Sequence, residues 1–164
     1  MYRMIHLLVV VIVAASLVFA IYYLEGVLYL EPCPLCMVDR AILVLIGLIA
    51  LIALMHNSSG IMLWMYTGLG SLFAGLGIAV SARHIWLQGL PPDQVPECGP
   101  DLSYMLDVFP LAEVIKKVLS GSGQCAEVSW TFLGLTIPQQ TLLLFILLLV
   151  MIIFAHIMQI KQQN

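Results

Sequence analysis

Four long apolar runs constrain this chain more than any other feature of its sequence. Their centres contain almost no charge, and of the 164 residues 62% are hydrophobic whereas only 9% are charged. So little polar surface cannot cover so much apolar surface in water, but a helix of about 20 apolar residues matches the hydrocarbon thickness of a bilayer. The sequence therefore predicts an all-α membrane protein whose four transmembrane helices form a bundle.

Four predicted membrane spans follow from these runs, over residues 7–24, 37–55, 61–82 and 139–158. We interpret the first as an uncleaved span, because it is long for a signal peptide and no clear cleavage site follows it. The second has an uncharged core of only fifteen residues, from Ala41 to Met55, which is about 22 Å of helix at ~1.5 Å per residue. To cross a hydrocarbon core of about 30 Å, it must extend back through Asp39 and Arg40, where charge is costly and usually marks function. We expect residues 1–164 to form a single transmembrane domain.

Two loops lie on one side of the predicted bundle, a short one over residues 25–36 and a long one over residues 83–138. The long loop exceeds the length of a mere connection, so it should carry function. Proline and glycine surround Cys98, which predicts an extended and exposed segment there. Between Asp107 and Leu119, apolar residues recur at helical spacing, which predicts a short amphipathic helix lying parallel to the membrane.

All four cysteines lie outside the apolar runs and fall on the same side of the membrane. Cys33 and Cys36 precede the second span and Cys98 and Cys125 follow the third, so two crossings separate the pairs. An even number of cysteines is typical of an oxidising compartment. We therefore place the cysteines on the extracytoplasmic side and both termini in the cytoplasm, since the charge bias of the loops is weak. Electrons can then pass between the pairs by thiol–disulfide exchange.

Cys36 is the cysteine whose surroundings most favour reactivity. Pro34 is tolerated in a first helical turn, so a helix that begins there holds Cys36 in that turn. The positive end of the helix dipole and Arg40, four residues further along, both favour a thiolate over a thiol. The same stretch also fits a structural disulfide or a metal-binding pair, and these alternatives stay open at this point.

Polar residues at the ends of the second and third runs are further candidates for binding a ligand. Asp39 and Arg40 fit either a functional pair or a pair that merely anchors the helix at the membrane edge. Arg83, His84 and Trp86 follow the third run. Trp86 is typical of an interfacial anchor, whereas His84 could hydrogen-bond a ligand at the membrane surface or simply be solvated.

The order of these motifs resembles the DsbB family of bacterial inner-membrane disulfide oxidoreductases over essentially the whole chain. The resemblance rests on Pro32-Cys33-Pro34-Leu35-Cys36, Asp39-Arg40, Cys98 in its proline-rich loop, Gly123-Gln124-Cys125-Ala126-Glu127, Trp130, Phe132-Leu133-Gly134-Leu135 and Pro138-Gln139. Two positions depart from the family pattern. Pro34 stands where an aliphatic residue is common, and Asp39 stands where glutamate is common but keeps the negative charge.

The resemblance implies an enzyme of the bacterial inner membrane with its cysteines in the periplasm. The enzyme would reoxidise a soluble thiol oxidase of the DsbA type and pass the electrons to ubiquinone or menaquinone from the membrane pool, bound without a covalent link. This chain of reactions is itself the established example of how a bacterial periplasm is kept oxidising. No nucleic acid is expected as a partner, because the net charge is -3.

The resemblance also implies roles for individual residues. All four cysteines would be catalytic, with the partner attacking a disulfide between Cys98 and Cys125 and the electrons passing on to the Cys-x-x-Cys pair. Arg40, His84 and Asp39 would bind the quinone. No metal is expected.

Three other functions fit part of the sequence. An enzyme like vitamin K epoxide reductase also combines helices, a Cys-x-x-Cys pair and a quinone, but its pair would be expected in a late span, whereas Cys33 and Cys36 open the second. A non-catalytic scaffold would use the same cysteines in structural disulfides, and redox cycling would distinguish it. A Cys₄ zinc site is disfavoured because Cys98 and Cys125 lack the close spacing of such ligands.

Overall fold

The computed structural model describes residues 2–56, 60–91, 93–95, 102–121 and 123–163. Cys98 lies outside them. The helices, in chain order, are α1 Tyr2–Val18, α2 Pro34–His56, α3 Ile61–Gln88, α4 Leu102–Val108, α5 Leu111–Ser120, α6 Gly123–Ala126 and α7 Ile137–Gln163. A π-helical segment, Phe19–Val27, continues α1, and two short antiparallel strands, β1 Thr131–Phe132 and β2 Leu135–Thr136, precede α7.

Within the described residues, four helices are long and apolar enough to cross a membrane: Tyr2–Val27, Pro34–His56, Ile61–Gln88 and Ile137–Lys161. The predicted all-α membrane fold with four such helices is confirmed. As predicted, α2 begins at Pro34, because proline lacks only an N–H that would have no partner in a first turn.

The bundle core lies where α3 packs against α2 and α7, and where α1 packs against α2 and α7. Phe145 and Leu148 of α7 are fully buried there, as is Ala74 of α3. Gly77 of α3 faces the ring of Phe145 so closely that a Cβ atom at this position would overlap it. The absence of a side chain at Gly77 therefore sets the distance between α3 and α7.

The predicted amphipathic helix of the long loop is present, but it starts later than the apolar pattern suggests. Helix α4 ends at Val108 and α5 begins only at Leu111, because Pro110 has no N–H to continue a helix and disfavours helical backbone at the residue before it. Val114 and Val118 of α5 are buried in the protein core. Its orientation parallel to the membrane stays a prediction.

Helix α3 continues to Gln88, past the predicted end at residue 82. Arg83 lies over the ring of Trp86, with 4.2 Å between its guanidinium carbon and the ring centroid, and His84 faces inward with 3% of its surface exposed. His84 is therefore part of a buried helical face at the end of α3.

Candidate functional site

Cys33, His84 and Cys125 meet at one end of the bundle. The two sulfur atoms and a ring nitrogen of His84 all lie within 4.8 Å of one another, and all three residues are buried. They come from three different elements, since Cys33 directly precedes α2, His84 lies in the last turns of α3, and Cys125 lies in α6, which packs against α3. The fold thus brings the Cys-x-x-Cys motif, the long loop and the end of α3 to one point.

Cys33 caps the start of α2 with its sulfur. The backbone N–H of Cys36 donates to Cys33 Sγ over 3.3 Å, and the N–H of Met37 donates to the carbonyl oxygen of Cys33 over 3.1 Å. This is the pattern of a helix N-cap, in which a side-chain acceptor takes up an unpaired N–H of the first turn. The two sulfurs of Cys33 and Cys36 are 2.9 Å apart. The cap therefore holds the pair in contact.

Hydrogen bonds with Cys125 and Cys36, together with burial, raise the pKa of the Cys33 thiol well above its usual range. All three act in the same direction, because a proton shared with a neighbouring sulfur, like an apolar environment, disfavours the thiolate. When Cys33, Cys36 and Cys125 are all reduced, Cys33 therefore holds its proton, whereas Cys36 lies in the first turn of α2 near the positive end of the helix dipole.

Asp39 and Arg40 are neighbours in sequence but point to different helices. The hydroxyl of Ser81 in α3 donates to both carboxylate oxygens of Asp39, over 3.4 and 3.3 Å, and Asp39 is buried. Arg40 forms an ion pair with Glu25 of the π-helical segment. Asp39 therefore does not behave as an exposed anchor.

Ser81 and Glu25 are two site residues that sequence reasoning missed. Glu25 carried a signal, since an acidic residue at the end of an apolar run on the same side as Arg40 is a natural partner for a cation. Ser81 carried none, because a serine in a membrane helix is more often a small packing residue.

A cavity of about 470 Å³ joins these groups. Its wall includes Cys33, Cys36, Asp39, Arg40 and His84, together with apolar side chains of α1, α2 and α7 and further polar side chains, among them Gln124 and Glu127. A pocket of this size, mostly apolar with a few converging polar groups, is typical of a small-molecule site. Five of the seven predicted site residues line this cavity, and a sixth, Cys125, lies close to Cys33, which does. The seventh, Cys98, lies outside the described residues.

Membrane-length helices that hold a cysteine pair against a third cysteine define a membrane thiol oxidoreductase. The sequence model of the family described as "Disulfide bond formation protein DsbB" matches residues 2–155. The chain belongs to the DsbB family.

Relatives named disulfide bond formation protein B cover most of the chain. The protein of Hahella chejuensis is 49% identical over 144 residues, which are 88% of this chain and 87% of that protein. The protein of Acinetobacter baumannii is 46% identical over 149 residues (90% and 86%), and that of Psychrobacter cryohalolentis is 45% identical over 150 residues (90% and 85%). The chain is thus a multi-pass membrane enzyme of disulfide bond formation, which removes the scaffold and the vitamin K epoxide reductase-like enzyme as alternatives.

Proposed function

We propose that this enzyme reoxidises a soluble periplasmic thiol oxidase of the DsbA type and passes the electrons to a quinone of the membrane pool, ubiquinone or menaquinone. The observation that carries the proposal is that Cys36 and Arg40 line the same mostly apolar cavity. An electron-donating sulfur and a fixed positive charge in one cavity suit an acceptor that gains negative charge as it is reduced.

The residues of the cavity fit a quinone. The apolar wall suits a lipid-soluble ring, and the polar groups suit its two carbonyl oxygens. Pairing with Glu25 engages Nη1 of Arg40, and a guanidinium has five N–H donors, so others can serve a ligand. His84 Nδ1 is buried and has no hydrogen-bond partner among the described residues, so it can also serve a ligand oxygen. Asp39, held by Ser81, adds a carboxylate to the wall.

When bound, the quinone would accept the two electrons and two protons that Cys33 and Cys36 release as they form a disulfide. Cys36 would deliver the electrons, because the first turn of α2 favours its thiolate. Arg40 would stabilise negative charge at a ligand oxygen, and His84 and Asp39 would orient the ligand.

Exchange between the two cysteine pairs would link this site to the partner. A partner thiolate would attack Cys98 of a Cys98–Cys125 disulfide, so that Cys125 leaves as a thiolate. Cys125 would then attack Cys33 of the Cys33–Cys36 disulfide, which forms a Cys33–Cys125 bond and releases Cys36 as a thiolate. The proximity of Cys33 and Cys125 supports this second step. The second partner thiol displaces Cys98, whose thiolate restores Cys98–Cys125 and leaves Cys33 and Cys36 as the dithiol.

We also propose that the four helices form one transmembrane domain in the inner membrane, with the cysteines in the periplasm and both termini in the cytoplasm. Cys33, His84 and Cys125 lie at the same end of the bundle, which supports a common side for both loops. Disulfide chemistry requires that side to be oxidising.

The decisive experiment follows anaerobic loss of quinone absorbance when a reduced DsbA-type partner is added to the purified, reconstituted enzyme. We expect one quinone consumed for each partner disulfide formed. Arg40→Ala should raise the KM for quinone by about 10- to 100-fold, because a hydrogen bond to a charged group contributes about 1.5–3 kcal/mol. The KM of Arg40→Lys for quinone should fall between that of the wild-type enzyme and that of Arg40→Ala. Turnover that needs no quinone, or unchanged quinone kinetics in Arg40→Ala, would contradict the proposal.

A further inference from the structure

We propose that the fully reduced form of this enzyme, in which both cysteine pairs are thiols, binds one Zn²⁺ ion through Cys33, Cys125 and His84. The sequence argued against a Cys₄ zinc site that included Cys98. The ligand set in the structure is a different one, with two sulfurs and an imidazole drawn from three elements.

The spacing of the three ligand atoms fits a zinc ion. With Zn–S bonds of about 2.3 Å and Zn–N bonds of about 2.0–2.1 Å at tetrahedral angles, ligand atoms lie roughly 3.5–3.8 Å apart. Cys33 Sγ and His84 Nε2 are already 3.7 Å apart, and no pair among the three ligand atoms exceeds 4.8 Å. Closing the site therefore requires a contraction of about 1 Å or less.

The donor set and its surroundings select the kind of ion. Thiolate and imidazole are the ligands that Zn²⁺ prefers, whereas Mg²⁺ and Ca²⁺ prefer oxygen. Cys33, His84 and Cys125 are 7%, 3% and 0% exposed, so the ion would be shielded from water on these sides. Two thiolates also neutralise the charge of one divalent ion, which suits a site at the edge of a membrane.

The coordination sphere has room for a fourth ligand. Three protein ligands leave one tetrahedral position, which in Cys₂His zinc sites is filled by water or a further group. Among the described residues, Cys36 is the one additional cysteine, and its Sγ lies 2.9 Å from Cys33 Sγ. A change in zinc affinity when Cys36 is replaced by serine would show that it occupies this position.

Zinc binding and thiol–disulfide exchange exclude each other at this site. Zn²⁺ displaces one proton from each of two thiols and transfers no electrons, so binding is reversible and sensitive to pH. Only the fully reduced form has the sulfurs of Cys33 and Cys125 both available, because a sulfur in a disulfide is no longer a thiolate ligand. This consequence rests on the proposed function: zinc would hold Cys33 and Cys125 as thiolates and so block the reoxidation of Cys33 and Cys36 to a disulfide. The binding itself does not rest on it.

The test uses the full-length enzyme, reduced and then freed of reductant without oxygen. Zn²⁺ is titrated against a chromophoric chelator, and Cd²⁺ is used in parallel because its thiolate complexes absorb in the ultraviolet. We expect one equivalent per chain, at least tenfold weaker binding in Cys125→Ser and His84→Gln, and unchanged binding in the matched control Cys98→Ser. The oxidised wild-type enzyme, which needs no substitution, should lose the site.

Substoichiometric binding, equal binding by oxidised and reduced enzyme, or binding that Cys98→Ser abolishes would each overturn the proposal. The titration involves neither quinone nor thiol partner, so its failure would leave the proposed function untouched. Conversely, if the enzyme binds zinc but does not reduce quinone, the missing quinone reduction contradicts the proposed function and leaves the metal site untouched. In an active enzyme that excess reduced partner has reduced at both cysteine pairs, added Zn²⁺ should slow reoxidation by quinone and a chelator should restore it.

Discussion

The guanidinium of Arg40 is ion-paired with the carboxylate of Glu25, which lies fifteen residues earlier in the chain. The two side chains are 19% and 28% exposed, so water screens the pair only in part. The pair joins α2 to the π-helical segment at the wall of the cavity. It therefore fixes the position of a long, flexible cation that would otherwise sample many rotamers.

Replacement of Glu25 by glutamine should loosen Arg40 without removing it. Partly exposed ion pairs contribute about 0.2–1 kcal/mol, so the KM for quinone should rise by up to about fivefold while kcat changes little. Steady-state quinone reduction measures both. Glu113→Gln, which neutralises an exposed acid on α5, is the matched control and should have no effect. If Glu25→Gln has the same effect in the Arg40→Ala background as alone, Glu25 does not act through Arg40.

Replacement of Cys36 by serine should abolish quinone reduction but leave Cys33 able to react with Cys125. Because these two sulfurs lie close together, mild oxidation of Cys36→Ser should trap a Cys33–Cys125 disulfide, detectable by mass spectrometry of non-reduced peptides. Cys36→Ser combined with Cys125→Ser should lose this species. A Cys33–Cys98 bond as the main product would show that the arrangement of the thiols differs during oxidation.

Alkylation of the fully reduced enzyme should reveal the raised pKa of Cys33. A thiol reacts as its thiolate, so a raised pKa keeps Cys33 protonated at neutral pH, and its alkylation rate should still be rising at pH ~9 without a plateau. Cys125→Ala removes the hydrogen bond that contributes most to the raised pKa of Cys33. The alkylation rate of Cys33 should then rise at lower pH. Iodoacetamide labelling over a pH series, read by mass spectrometry, measures both profiles. A Cys33 that is fully reactive at pH 7 would contradict this account.

Introduction of a methyl group at Gly77 should destabilise the bundle. The new Cβ would overlap the ring of Phe145, and overpacking of this kind typically costs about 1–3 kcal/mol. Gly75→Ala on the same helix is the matched control, since a Cβ there meets nothing within 4 Å, and it should be neutral or slightly stabilising. Thermal unfolding in detergent measures the difference, and Phe145→Leu should partly rescue Gly77→Ala. Equal stability of the two alanine variants would show that α3 and α7 can separate at little cost.

The sequence was sufficient to predict the elements that depend on local physics. Apolar length predicted the four long helices, and the tolerance of proline in a first turn predicted the start of α2. Pro110 is a local signal that outweighs the apolar pattern around it, and it moves the start of α5 to Leu111. The polar residues after residue 82 suggested the end of α3, but burial of His84 and packing of Arg83 on Trp86 keep the helix intact to Gln88.

The contacts of the site could not be predicted in the same way. Cys33, His84 and Cys125 are far apart in sequence, and no periodic pattern links them. Which partner each charged residue selects is equally a property of the packed bundle. Asp39 turns to Ser81 and Arg40 to Glu25 because adjacent positions on a helix point in directions about 100° apart.

The sulfur that caps α2 is also a sulfur that changes its covalent partner in the proposed cycle. Each oxidation or reduction of Cys33 therefore alters the acceptor that secures the amide of Cys36. The hydrogen bonding of the backbone at the start of α2 therefore changes during the proposed cycle. The local order of this helix end is coupled to electron transfer in every turnover. Replacing this sulfur with a serine oxygen would preserve the architecture of the end of the helix but disconnect it from the chemistry.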